Sequence, residues 1–213
     1  NIGVSDEVEP SCVVEVVSLF LMKHGLAQRP KVKMISGPHE ELVEKLRFRE
    51  LDAVVTTFAM SDPDLMSLMR TEVPVALICS SEWKSRSSTE RPISAEAIRD
   101  MVGGSEAQWV MPSSNFKLRS ETDLFFVNNE LQGRVVFESD VVASLVRSVI
   151  DQIGLAFLPL LYVARERREK TIRVLGPKAG YWKYRIWLGC HSQNSDDPLI
   201  RSLGRSFKDA CDE

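Results

Sequence analysis

The residue types that could do chemistry gather in a few short stretches. In residues 37–58, GPHEELVEKLRFRELDAVVTTF, His39 and Glu40 stand side by side at a predicted helix start. An HExxH zinc site needs a second histidine four residues on, on the same helical face; that position is Val43. The other histidines, His24 and His191, are distant in sequence, so no metal site is predicted. There is also no G-x-S-x-G elbow, no P-loop and no G-x-G-x-x-G. No nucleophile stands beside a base as covalent catalysis requires. Neither an enzyme nor a cofactor-binding protein is expected.

The positive signal is polar residues at the ends of predicted elements. Ser5, Asp6 and Glu7 follow a strand in NIGVS, and Ser36 to His39 separate strand 31–36 from helix 39–49. Thr56 and Thr57 close strand 51–58, Ser113 and Ser114 follow QWVMP, and Ser139 ends RVVFES. Helix N-termini expose N–H groups and a partial positive charge, so a polar ligand could lie among such loops. Capping is the plainer role for each residue alone; five such loops, taken with the resemblance described below, favour a ligand site. Asp6 and Glu7 would repel an anion, which favours a cation, an amine or a neutral ligand.

The elements that must position these residues alternate. Strand NIGVS, helix 12–24 capped by Ser11, strand 31–36, helix 39–49 and strand 51–58 make a β-α-β-α-β run. That order implies a parallel, right-handed α/β sheet. After strand 73–81 comes EWKSRSSTERP, a predicted exposed loop. A second α/β run follows: helix 94–102, a Gly103-Gly104 turn, strand QWVMP, helix 117–129, strand 134–139, helix 140–153 and strand LAFLP. A short helix 160–169, TIRVLGP and strand 181–192 come next, and helix 197–211 closes the chain with Asp197 at its entry. Two such runs predict two lobes, 1–75 with 188–213 and 76–187, crossed by segments 73–80 and 181–190. A cleft between such lobes is a preferred small-ligand site.

Of the 213 residues, 44% are hydrophobic and 27% charged, with a net charge of -3. Nucleic-acid binders usually carry a strongly basic face, so this chain is not expected to grip DNA. Cys12, Cys79, Cys190 and Cys211 form no CxxC and read as the reduced thiols of a cytoplasmic protein. No apolar run approaches the ~20 residues of a membrane span. The opening NIGVSDEVEP is neither a Met start nor a signal peptide. The expectation is a chain that begins in mid-fold.

IGVSDEVEPSCVVEVV, HEELVEKLRFRELDAVVTTF and SDVVASLVRSVIDQIGLAFLPLLYV, in that order, resemble the effector-binding domain of LysR-type transcriptional regulators. The likeness spans essentially the whole chain and includes the signature Gly154-Leu155-Ala156-Phe157-Leu158-Pro159. The HE.L.E.L detail is similar to the branch that regulates sodium/proton antiporters. Arg49-Glu50 stands where that family usually has a turn glycine.

The resemblance implies a type-2 periplasmic-binding-protein-like fold: two Rossmann-like α/β subdomains joined by two crossover strands, with a small-molecule or ion effector between them. DNA would be read only through an N-terminal winged helix-turn-helix outside this sequence. Effector contacts would fall at Glu7, at His39, at Ser113 and Ser114, and around Phe157 and Pro159. With the polar loop ends, the candidate set is Ser5, Glu7, Ser36, His39, Thr56, Thr57, Ser113, Ser114, Ser139, Phe157 and Pro159.

The helix SCVVEVVSLFLMKHG is apolar on nearly every side, so more than one face must be buried. One account sinks it deep in its own subdomain. The other, implied by the family's antiparallel dimer, packs it against a partner's helix 140–153 through Val13, Val16, Val17, Phe20, Leu145 and Val149. The expected assembly is a homodimer, and a tetramer when full length. The alternative function is the solute-binding protein of a transporter, with a dehydratase on the same fold third.

Overall fold

The computed structural model describes residues 1–83, 95–102 and 104–212. Most of the predicted loop EWKSRSSTERP, Gly103 and the first residue of helix 94–102 lie outside that set. The chain divides into two compact units, Asn1–Val73 with Arg185–Glu213, and Pro74–Tyr184.

In the first unit, β1 (Ile2–Ser5) lies between β2 (Met34–Gly37) and β3 (Ala53–Thr56), parallel to both. β9 (Trp182–His191) runs antiparallel to β3. Parallel pairing puts the carboxyl ends of all three strands on one edge. α2 (His39–Arg47) returns across the sheet, seating Leu42 and Leu46 in a core with Leu51, Val54 and Leu65. A Cβ on Gly3 would lie 2.8 Å from Leu51 Cδ1 and 3.1 Å from Leu42 Cδ2, so only hydrogen fits beneath this helix.

α1 (Pro10–Met22) starts two residues earlier than predicted, and its cap is Glu9 rather than Ser11. The Glu9 carboxylate accepts from Ser11 N at 3.4 Å, with Pro10 in the first helical turn. α7 (Pro198–Asp212) packs against α1 and is tied to it by Lys23 and Asp209 at 2.7 Å. Asp197 caps α7, accepting from Leu199 N and Ile200 N at 2.8 and 3.2 Å.

Most of the expected interface residues are buried within their own units. Val13, Val16 and Phe20 are 1%, 4% and 5% exposed, inside their own unit. The helix is apolar all round partly because α7 covers a second side. In the other unit Leu145 and Val149 of α5 (Val142–Ile150) are buried likewise. Of the six, Val17 alone is half-buried.

β4 (Leu65–Ser80) begins eight residues before the predicted strand. Its second half pairs antiparallel with β7 (Ala156–Pro159) and with β8 (Ile172–Leu175). β5 (Gln108–Pro112) pairs parallel with β6 (Arg134–Ser139), and Val110 N donates to Leu155 O at 2.8 Å. α3 (Ala95–Val102), α4 (Lys117–Asn128) and α6 (Ala164–Arg168) complete the second unit. A Cβ on Gly154 would lie 2.8 Å from Gln108 O, which explains the glycine that opens the GLAFLP signature.

Arg49, at φ +62°, takes a left-handed turn at the position where the resemblance expects a glycine. A non-glycine residue there costs on the order of 1 kcal/mol. The backbone bonds of the cap, Glu50 N to Lys45 O at 2.9 Å and Arg49 N to Leu46 O at 3.0 Å, offset that cost. The Arg49 guanidinium also donates to Gln193 Oε1.

Candidate functional site

The carboxyl edge of β1, β2 and β3 brings six of the candidate residues together within the first unit. Thr56 and Thr57 are fully buried, and Ser5 is 2% exposed. Thr56 Oγ1 lies 2.8 Å from His39 Nδ1 and accepts from Phe58 N at 3.3 Å. With that lone pair used, the hydroxyl proton can be given to an unprotonated Nδ1, the arrangement a neutral imidazole allows. The Phe58 ring lies against His39, centroids 4.9 Å apart. Thr57 Oγ1 donates to Glu7 Oε2 at 3.2 Å. Asp6 N donates to Gly37 O at 3.1 Å and Val8 N to Ser5 O at 2.8 Å, closing the β1–α1 loop. Ser36 is exposed on the same edge strand.

The edge is acidic. Asp6 and Glu7 lie in the β1–α1 loop, Glu9 caps α1, and Glu40 and Glu41 occupy the first turn of α2. Both helix N-termini thus already face negative side chains of this chain, the arrangement a helix dipole favours.

The second unit places its candidates differently. Ser113 N donates to Ser139 O at 3.0 Å, joining the ends of β5 and β6. Ser139 Oγ accepts from Val141 N at 3.0 Å, a local cap. Ser114 is exposed beside them. Phe157 is 1% exposed and stacks on Trp109 at 5.8 Å, within a cluster that includes Phe125, Tyr181 and Trp182. Pro159 is buried opposite Val75 of β4. Both side chains belong to the core of their unit.

Two residues escaped the sequence analysis. Phe58 was legible only as the end of a strand. Arg119 donates to Pro112 O at 3.0 Å and pairs with Glu138 at 2.8 Å and Asp123 at 2.9 Å, pinning the β5 end to β6. Its one sequence signal was the Arg119–Asp123 spacing of four. Arg147 and Arg165 pair with Asp151 and Glu169 on exposed helix faces, where such pairs contribute little. Among the described residues no cluster of three or more His, Cys, Asp or Glu could hold a metal ion, and no helix is long and apolar enough to cross a membrane.

A family profile, the LysR substrate binding domain, matches residues 1–212. The chain belongs to that family. It is an effector-binding regulatory domain of the LysR-type regulators. Its fold is that of the reduced OxyR regulatory domain from Pseudomonas aeruginosa, at 15% identity and a TM-score of 0.72, over 97% of this chain and 95% of that one. The CcmR regulatory domain of Synechocystis PCC6803 in complex with 2-PG aligns at 12% identity and 0.69, over 99% and 95%. The effector-binding domain of QuiR in complex with shikimate aligns at 14% and 0.68, also over 99% and 95%. At such identities the likeness is one of fold. No curated protein matches the sequence.

Burial holds the His39 imidazole below its ordinary value of 6.5, against a smaller opposing pull from Glu40. The unfolded chain therefore binds more protons there. Stability from this group is complete above the unfolded value and falls as pH drops through it towards the folded one. In NMR titration His39 should show a midpoint below 6.5. The acid-side loss of stability should shrink in His39→Gln. A midpoint at or above the ordinary value contradicts the packing described.

Proposed function

We propose that the carboxyl edge of β1, β2 and β3 is the effector-sensing surface of this regulator. The observation that carries the reading is the pair of buried hydroxyls, Thr56 and Thr57, held by His39 and Glu7 at the strand ends. Ser113, Ser114 and Ser139 are the second unit's expected contribution. The acid-lined edge selects against a bare carboxylate and for an effector that offers hydrogen-bond donors: a protonated amine, a cation or a hydroxyl-rich neutral molecule. An effector acts by favouring one arrangement of the two units over another, and only to the extent that its affinity differs between them. In a cytoplasmic full-length regulator a DNA-binding module would report this change.

We further infer a homodimer through the outward faces of α1 and α5. Val14, Met22 and Val141 are 51%, 73% and 52% exposed, while the inward residues are committed to the cores. Sedimentation of the wild type should show a dimer. Val14→Asp should shift it to monomer with little change in melting temperature, whereas Val16→Asp should lower the melting temperature instead. A wild-type monomer at high concentration contradicts this.

The effector reading is tested by thermal shift with millimolar panels of primary amines, polyols and carboxylates, since a ligand of the folded state raises its melting temperature. An amine or polyol is expected to raise it, and Glu7→Gln or Thr57→Val to abolish the rise. A rise with carboxylates alone contradicts the ligand class. A rise that survives both substitutions places the effector elsewhere.

A further inference from the structure

A groove of about 480 Å³ lies within the first unit, between β4 and the start of α7. It shares no residue with the carboxyl edge described above. One wall is apolar, made by Leu68 and Met69 of β4 and Pro198 of α7. Gly204 forms part of the lining; a Cβ there would come within 3.1 Å of Leu68 Cδ2 and 3.4 Å of Met69 Cγ, so the glycine lets α7 approach β4 closely here.

Two arginines four residues apart flank it, Arg201 and Arg205, and that spacing puts them on one face of α7. Arg201 pairs with Asp196 and donates to Ser195 O at 3.4 Å. Both partners of that pair are largely solvent-exposed, at 61% and 84%, so it holds Arg201 weakly. Arg205 is exposed, and no ion pair or hydrogen bond to its guanidinium occurs among the described residues. The α7 N-terminus itself is occupied by Asp197, so any anion here would be held by guanidinium and not by helix N–H groups.

A volume in the range of small-molecule sites, an apolar wall and a paired guanidinium rim match one ligand chemistry. We propose that this groove is a second ligand site, taking a small anion with an apolar body, such as a medium-chain or aryl carboxylate. The carboxylate pairs with Arg205 and draws Arg201 from Asp196. The apolar body lies along Leu68 and Met69. The unit then carries two sites of opposite charge preference, an acidic edge that disfavours carboxylates and a basic groove that takes them.

The plainer account is a pair of solvated arginines over a surface dent. Isothermal titration calorimetry of this chain with octanoate and its uncharged counterpart octanamide separates the two. Octanoate is expected to bind one to one, and octanamide about tenfold more weakly or worse, as loss of a charge-assisted contact implies. Arg205→Ala, an exposed change that should leave the melting temperature in place, is expected to weaken octanoate by a similar factor. In amide NMR, octanoate is expected to move the Leu68, Met69 and Gly204 signals. The proposal is overturned by no saturable binding at millimolar octanoate, by equal binding of octanamide, by indifference to Arg205→Ala, or by signal changes confined to Thr56 and Thr57.

Discussion

The carboxyl edge depends on β1 lying parallel between β2 and β3 with no more than a hydrogen atom at position 3. Parallel register aligns Ser5 with Gly37 and Val4 with Val55, so three chain reversals open at one level. The missing side chain at Gly3 lets Leu51 and Leu42 settle onto the strand. Leu42 lies in the helix whose first residue is His39, so a core contact sets where the imidazole meets Thr56. Packing of this density transmits small volume changes, which makes the polar pair at the edge a consequence of apolar fit below it.

The second unit solves the same problem with other means. Its loop ends are joined by backbone and by Arg119 in place of a buried hydroxyl pair. The GLAFLP run supplies the core beneath: Gly154 admits β5, and Phe157 anchors the aromatic cluster. Phe157 and Pro159, near which the resemblance expects effector contacts, are buried core residues of this unit. Ser113 and Ser139 join the ends of β5 and β6 through Ser113 N and Ser139 O.

The β-α-β-α-β run, strands QWVMP, RVVFES and LAFLP, and the Asp197 helix entry were legible because their periodicity and caps agree with the final packing. Other features were not. Helices after residues 39, 117 and 140 stop earlier than predicted because Arg49, Glu130 and Gln152 take left-handed turns without the glycine that usually signals them. The first half of β4, LMSLMRTE, has no clean alternation, since its residues are mostly exposed or half-buried without a period of two. The faces of α1 could not be assigned from its composition, because the element covering its second side is the last helix of the chain. Within the edge, Glu7, His39, Thr56 and Thr57 were all named from their positions at element ends. Their pairing was beyond sequence, since it depends on segments brought together from residues 17 and 50 apart.

The central claim is that effector chemistry is read at the ends of β1, β2 and β3. Hydrogen exchange of the domain with whichever ligand most raises its melting temperature tests this most directly. Slowed exchange in residues 5–9, 37–42 and 56–60 is the result the account requires. Slowed exchange confined to residues 66–72 and 196–206, with the strand ends unchanged, would contradict it.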